Sequence, residues 1–289
     1  MDMKKIAILN DLSGLGKCSL AAAIPVISVM GVQACPLPTA ILSAQTGFDS
    51  YYYDDYSAHI SEIMGEWDKM GFRPDGIYTG FLAGETQAER VLEFILKFGK
   101  ENTKILVDPI LGDNGEEYPM YTEGLCEKMR SLAKRASVIT PNLTEALLLL
   151  YGREQAHRKW KEFGEMEEAG FRRAVEETGT ELSRRFRTES VVTGIDIPRE
   201  DGTVEIGNLI SGALGQEWVT APKEGGSYSG TGDLFASVLC AGMVKGTATA
   251  VSVKKAVRFL SKAIHDTVLE GTDRNEGVCF ENHLYELHE

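Results

Sequence analysis

Apolar and polar positions alternate along this chain in a repeating way: short apolar runs, then longer stretches with apolar residues at helical spacing. Residues 5–9 are an apolar run closed by Asn10-Asp11 and read as a buried strand. Ser13-Gly14-Leu15-Gly16 is a turn, and a mostly apolar helix follows over 18–30. Residues 33–42 are extended, with Pro36 and Pro38 marking an edge or a bulge. After the tyrosine-rich loop Tyr51-Tyr52-Tyr53, Ile60, Ile63, Met64 and Trp67 give 57–70 the spacing of a helix. Strands are predicted at 76–79, 104–107, 138–140 and 191–193, and helices at 86–98, 123–134 and from Asn142 onward. The charged stretch 153–187 reads as helix, with Glu165 to Glu168 on its solvated face. Residues 204–210 and 217–220 suggest an antiparallel ribbon, and helices over 233–244 and 250–269 close the chain.

Strands alternating with amphipathic helices predict an open α/β fold, a mostly parallel sheet with helices on both faces. We expect one domain over residues 1–289, since α/β domains of this length are common. In such sheets the ligand lies beyond the carboxyl ends of the strands, so the polar residues there are the ones to weigh.

Ser229-Gly230-Thr231-Gly232-Asp233 leads straight into an apolar helix. Glycines there allow a tight turn that aims several amides at one spot. The first-turn amides lack helical partners and the helix dipole adds positive charge, so an anion such as phosphate is favoured. Asp233 at the mouth of that cradle can accept a hydroxyl proton, or it can simply cap the helix. Gly14-Leu15-Gly16-Lys17-Cys18-Ser19 is a decoy P-loop: Asp11 stands where the first glycine belongs, and Cys18 where a serine or threonine belongs.

Two acidic segments follow apolar strands. Val107-Asp108-Pro109-Ile110-Leu111-Gly112-Asp113 puts two carboxylates in one loop, and Thr140-Pro141-Asn142-Leu143-Thr144-Glu145 adds an amide and a carboxylate at a helix start. Asp108, Asp113 and Glu145 suit magnesium, directly or through water, although Asn142 and Glu145 also have the spacing of a capping box. Thr193 before Gly194 is a candidate nucleotide contact.

Charge and cysteine usage narrow the partners. A formal net charge of −13 repels nucleic acid and anionic lipid, so neither is an expected partner. Five scattered cysteines without CxxC spacing suggest reduced thiols. No apolar run is long enough to span a bilayer, and a cytoplasmic enzyme is expected.

Taken in order, the 107–113, 139–145 and 230–233 motifs resemble the ribokinase-like superfamily, and within it the pyridoxal and pyridoxamine (vitamin B6) kinases. The resemblance runs from the first strand to Glu276-Gly277-Val278. It implies ATP-dependent phosphorylation of a B6 hydroxymethyl group, a Mg2+ requirement, K+ as a further candidate cation, and a homodimer. It casts Asp233 as base and Gly230, Thr231 and Gly232 as the anion hole. Asp108, Asn142, Glu145, Thr193 and Tyr121 fall on the nucleotide side, with Asp113 and Glu145 toward the metal. Asn10, Gln45, Thr46 and Phe81, with Asp233, fall on the substrate side.

The turn after the first strand is too short for the lid of the sugar kinases. Asn10-Asp11 and Gln45 depart from the B6 pattern, which has Ser-His and His at those places. The run Asn-Asp-Leu-Ser-Gly-Leu-Gly leans toward hydroxymethylpyrimidine kinases, the alternative substrate class. A non-catalytic nucleotide or vitamin binder is the third reading, disfavoured because a binder has no need of Asp233.

Overall fold

The structure is a computed structural model that describes residues 3–199 and 201–288. Its chain divides into two compact units, residues 1–106 with 224–289, and residues 107–223.

In the first unit β1 (Lys5–Ser13) is flanked by β2 (Gln33–Leu42) and β4 (Gly76–Thr79), both parallel to it. The short β3 (Tyr53–Asp55) lies antiparallel against Ala40, Ile41 and Leu42 of β2. Because successive strand residues face opposite ways, the complete burial of Ile6, Ala7, Ile8 and Leu9 means that both faces of β1 are covered. The helices of this unit are α1 (Ser19–Val29), α2 (Ser57–Lys69), α3 (Glu85–Phe98), α8 (Thr231–Lys245) and α9 (Thr249–Glu270). A 3-10 turn at Glu281–Leu287 follows them. Residues 14–18 alone separate β1 from α1, so no lid is inserted there.

β5 (Lys104–Val107) ends where the second unit begins. Within that unit β8 (Val138–Ile139) runs parallel to β9 (Glu189–Pro198), and β9, β10 (Val204–Gly212) and β11 (Gly215–Pro222) follow one another antiparallel. A small ribbon pairs β6 (Gly112–Asp113) with β7 (Glu116–Glu117). The helices are α4 (Glu123–Ala133), α5 (Leu143–Tyr151), α6 (Arg153–Gly164) and α7 (Glu168–Phe186). The fold class is the expected open, mostly parallel α/β arrangement.

Three local expectations need correction. The stretch 153–187 is two helices, broken after Gly164: residues 165–167 are exposed at a junction, the half-buried Glu168 opens the second helix, and the four do not form one helix face. β1 does not stop at Leu9: its pairing with β2 continues to Ser13↔Leu42, with a register shift between Asn10 and Leu12. The tyrosine-rich loop contributes β3, whose pairing with β2 a local pattern does not reveal. All five cysteines are free thiols. Among the described residues no helix is long and apolar enough to cross a membrane.

Candidate active site

At the head of α8 the N-cap is Gly230, in the left-handed region at φ 81°. A β-carbon there would overlap the carbonyl oxygen of Lys17, so only glycine fits this close approach. The first intrahelical bond runs from the Leu234 amide to the Gly230 carbonyl, 2.9 Å. The amides of Thr231, Gly232 and Asp233 therefore precede the helical ladder, on a half-exposed to exposed surface, at the positive end of the helix. Thr231 Oγ1 donates to the Tyr228 carbonyl at 2.9 Å, which holds the turn from below.

The N-cap Gly230 offers no side chain, and Asp233 stands in the first turn of α8. Its carboxylate turns to three donors from other elements. Asn10 Nδ2 donates to Oδ1 at 3.0 Å, the Tyr78 hydroxyl donates to the same oxygen at 3.3 Å, and the Ser19 amide adds a third bond. Burial is the largest influence on this carboxyl and raises its pKa to about 6, with the Asp11 charge pushing the same way. The donors from Ser19, Asn10 and Tyr78 pull it down, and burial wins.

The end of β1 explains how these groups meet. The irregularity between Asn10 and Leu12 puts two polar residues in a buried strand end, a placement typical of bulges beside active sites. Asn10 is wholly buried and fully engaged: its Oδ1 accepts from the Phe81 amide at 2.8 Å and the Asp11 amide at 3.0 Å. Asp11 is buried too, accepts from Ser13 Oγ at 2.8 Å and from the Ser19 side chain, and its pKa is raised by burial. The loop to α1 is tense, with Lys17 at φ 48° and Ser19 at φ 52°. Burial, and the nearby carboxylates of Asp233 and Asp11, push the Cys18 thiol up to about 12, which leaves it protonated and unreactive at neutral pH.

The remaining substrate-side residues are less uniform. Gln45 holds its own loop: Nε2 donates to the Asn275 carbonyl and Oδ1 at 3.3 and 3.2 Å, and Oε1 accepts from the Gly47 amide at 2.6 Å. Thr46 is exposed. Phe81 is half-buried, and its backbone is tied to Asn10 and to Thr39 Oγ1 at both ends.

The second unit gathers the acidic segments. Asn142 is the N-cap of α5 and forms a complete capping box: its Oδ1 accepts from the Glu145 amide at 3.0 Å, and Glu145 Oε2 accepts from the Asn142 amide at 2.9 Å. Asn142 Nδ2 also donates to the Gly112 carbonyl at 2.8 Å, and the Leu111 amide donates to Glu145 Oε1 at 3.0 Å. The capping box is present in full, and the same two residues tie α5 to the loop carrying Asp113. Burial holds the Glu145 carboxyl well above the usual carboxylate range, and the Asp113 charge adds to this. Asp108 is buried and accepts from Thr140 Oγ1 at 3.0 Å. Thr193 bridges to Asn142 in parallel, its amide donating to the Pro141 carbonyl at 2.9 Å.

Asp113 and Glu145 repel one another, and every donor atom in the set is oxygen. Such a set fits a hard divalent cation, which would relieve that repulsion. Tyr121 is buried, with the Arg153 guanidinium over its ring at 4.8 Å.

Sequence reasoning passed over Tyr78, Asp11 and Ser19. Strand alternation places Tyr78 one residue before Thr79-Gly80, but nothing local shows that its hydroxyl reaches across to α8.

The family model described as phosphomethylpyrimidine kinase matches residues 16–277, and the chain belongs to that family. A Bacteroides thetaiotaomicron protein, provisionally described as a phosphomethylpyrimidine kinase, is 32% identical. Its rhombohedral form superposes with TM-score 0.88 over 100% of this chain and 95% of that one. An orthorhombic form of it with pyridoxal gives 0.86, covering 100% and 96%. Pyridoxal kinase from Lactobacillus plantarum is 25% identical with TM-score 0.84, covering 99% and 97%. A pyridoxine/pyridoxal/pyridoxamine kinase of Bordetella avium is 25% identical, covering 86% of this chain and 80% of its own.

Proposed function

We propose that this kinase transfers the γ-phosphoryl group of ATP to the hydroxymethyl group of pyridoxal, pyridoxine or pyridoxamine, with Asp233 as general base. The observation that carries the reading is the Asp233 carboxylate, held by Asn10, Tyr78 and Ser19 beside the leading amides of α8. The substrate class is supported by the 32% identical protein whose crystal form contains pyridoxal, and by the B6 kinases of L. plantarum and B. avium.

In this reading the hydroxymethyl proton passes to Asp233 as its oxygen attacks the γ-phosphorus and ADP departs. The amides of Gly230, Thr231, Gly232 and Asp233 face the charge that gathers on the phosphoryl oxygens. Thr46 and Phe81 would line the ring of the alcohol. Asn10 and Gln45, engaged within the protein, would shape that pocket by fixing Phe81, Asp233 and the 45–47 loop. Asp108, Asn142, Thr193 and Tyr121 would serve the nucleotide. Asp113 and Glu145 would hold Mg2+, Glu145 through a metal-bound water, since both its oxygens already accept backbone amides. Bound Mg2+ neutralises phosphate charge. K+ is a further candidate, and a single-domain, homodimeric, cytoplasmic enzyme completes the proposal.

Asp233→Asn should lower turnover by roughly 10²–10⁴-fold, the usual worth of a positioned base, with ATP binding retained. Full activity in that variant refutes the base role. A second reading, hydroxymethylpyrimidine or its phosphate as substrate, is favoured by the family description and by Asn10-Asp11 at the end of β1. A side-by-side assay of ADP release with pyridoxal, pyridoxine, pyridoxamine and hydroxymethylpyrimidine separates the two.

A further inference from the structure

Tyr78 sits on β4, wholly buried, with its hydroxyl 3.3 Å from Asp233 Oδ1. Asn10 Nδ2 reaches the same oxygen from β1 at 3.0 Å. The two strands are neighbours in register, Leu9 opposite Thr79, so Tyr78 and Asn10 leave the sheet on one face, toward α8. Two donors from adjacent strands thus converge on a single carboxylate oxygen.

We infer that Tyr78 is a positioning residue for phosphoryl transfer: together with Asn10 it fixes Oδ1 of Asp233 inside the protein, so that the carboxylate keeps one orientation toward the alcohol whose proton it takes. The inference rests on the reading of Asp233 as base. A carboxylate hinged only at Cβ can rotate about its own axis, and one donor on one oxygen restrains that rotation weakly. Two donors approaching from different strands, beside the Ser19 amide at the start of α1, define the plane and direction of the carboxylate. Positioning of this kind acts on turnover and leaves ground-state affinity for either substrate nearly untouched, because neither substrate touches the tyrosine.

The groups facing Asp233 are few. β1 brings Asn10 and Asp11, the start of α1 brings Cys18 and Ser19, and β4 brings Tyr78. Among these Asp11 is the other carboxyl, and it raises the proton affinity of Asp233 while Tyr78 lowers it. Removing one donor and removing one charge must therefore move the pH profile in opposite directions.

The experiment is a pH profile of kcat and KM from pH 5 to 8, with ATP, Mg2+ and the fastest alcohol of the panel above. It compares wild type, Tyr78→Phe, Asp233→Asn and a form with 3,5-difluorotyrosine at position 78. Tyr78→Phe keeps the ring that fills the core, and its melting curve checks the fold. The expected result is a kcat lower by about tenfold, KM values within about twofold, and an acidic limb displaced to higher pH. The difluorotyrosine form, a stronger hydrogen-bond donor, should keep turnover and move the limb to lower pH. It carries the test alone if Tyr78→Phe fails to fold. Wild-type kcat and an unmoved limb in both altered proteins, with Asp233→Asn inactive, overturn the inference and leave the base standing. Turnover surviving in Asp233→Asn removes the base and the inference together.

Discussion

Replacing Gly230 by alanine tests whether the cradle at the head of α8 depends on one close backbone approach. Gly230 lies at φ 81°, and its missing β-carbon points at the Lys17 carbonyl. The left-handed conformation costs an L-residue about 1–2 kcal/mol. Reduced freedom of the unfolded chain offsets about 0.4–1 kcal/mol of that. Gly246, the C-cap of the same helix, has nearly the same φ, 84°, but nothing within 4 Å of its would-be β-carbon. Gly246→Ala therefore isolates the conformational cost: a melting temperature lower by roughly 2–4 °C and unchanged kcat. Gly230→Ala adds a backbone collision that the 14–19 loop can relieve only by moving on the order of 1 Å, a misplacement that elsewhere costs about 10²-fold in rate. That loop also carries the Ser19 amide bonded to Asp233, so base and cradle shift together. Differential scanning calorimetry and steady-state ADP release on both variants give the comparison. If Gly230→Ala keeps kcat within about threefold of Gly246→Ala, the close approach is not what organises the site.

Other consequences follow from the same contacts. Asp11→Asn removes a charge that raises the Asp233 pKa, so the acidic limb of the kcat profile, expected near the Asp233 value of about 6, should move to lower pH; an unmoved limb refutes the coupling. Asn142→Ala should cost about 1–2 kcal/mol through loss of the α5 cap, read as a lower denaturation midpoint, with weaker Mg2+ activation because the tie to Gly112 is also lost. Glu145 has a raised folded-state pKa, so its stabilising contribution is present below the ordinary carboxylate range and is lost as pH rises through the folded value. In metal-free urea titrations that decline should flatten in Glu145→Gln, and an identical slope in both proteins excludes Glu145 as its source.

Legibility from sequence followed the range of the interactions involved. The bounds of β2 and β4, the β10–β11 ribbon and the cap at Asn142 are carried by neighbours in the chain, and local pattern found them. The glycine-rich start of α8 was legible for the same reason. Hidden features depend on distant pairing. β3 exists only because β2 offers it an edge, and β1 passes its polar pair only because β2 continues beyond it. Tyr78 looks like an ordinary strand aromatic until the β1–β4 register brings it beside Asn10 and under α8. The break after Gly164 escaped because exposed glutamates continue on both sides of it and helix-favouring composition conceals a junction.

Two carboxylates, the half-buried Asp233 and the buried Glu145, illustrate how surroundings divide labour between groups of one chemistry. Burial is the dominant influence on both and raises both pKa values. Glu145 has each oxygen accepting a backbone amide, from Leu111 and from Asn142, so its orientation is built into the loop and helix it joins. Such a carboxylate is held in place by backbone on both oxygens, and each oxygen keeps a second lone pair for one further hydrogen bond. Asp233 accepts from the Ser19 amide and from the Asn10 and Tyr78 side chains, donors of three different elements, and its pKa of about 6 leaves it mostly charged at pH 7. It is thus ionised when an alcohol arrives, yet more basic than a solvated aspartate. Without the Ser19 amide, Asn10 and Tyr78 the same burial would push the Asp233 pKa higher still; without burial it would be a weaker base. The donors that converge on Asp233, the Ser19 amide with the Asn10 and Tyr78 side chains, are therefore what keep a desolvated carboxylate ionised for this chemistry.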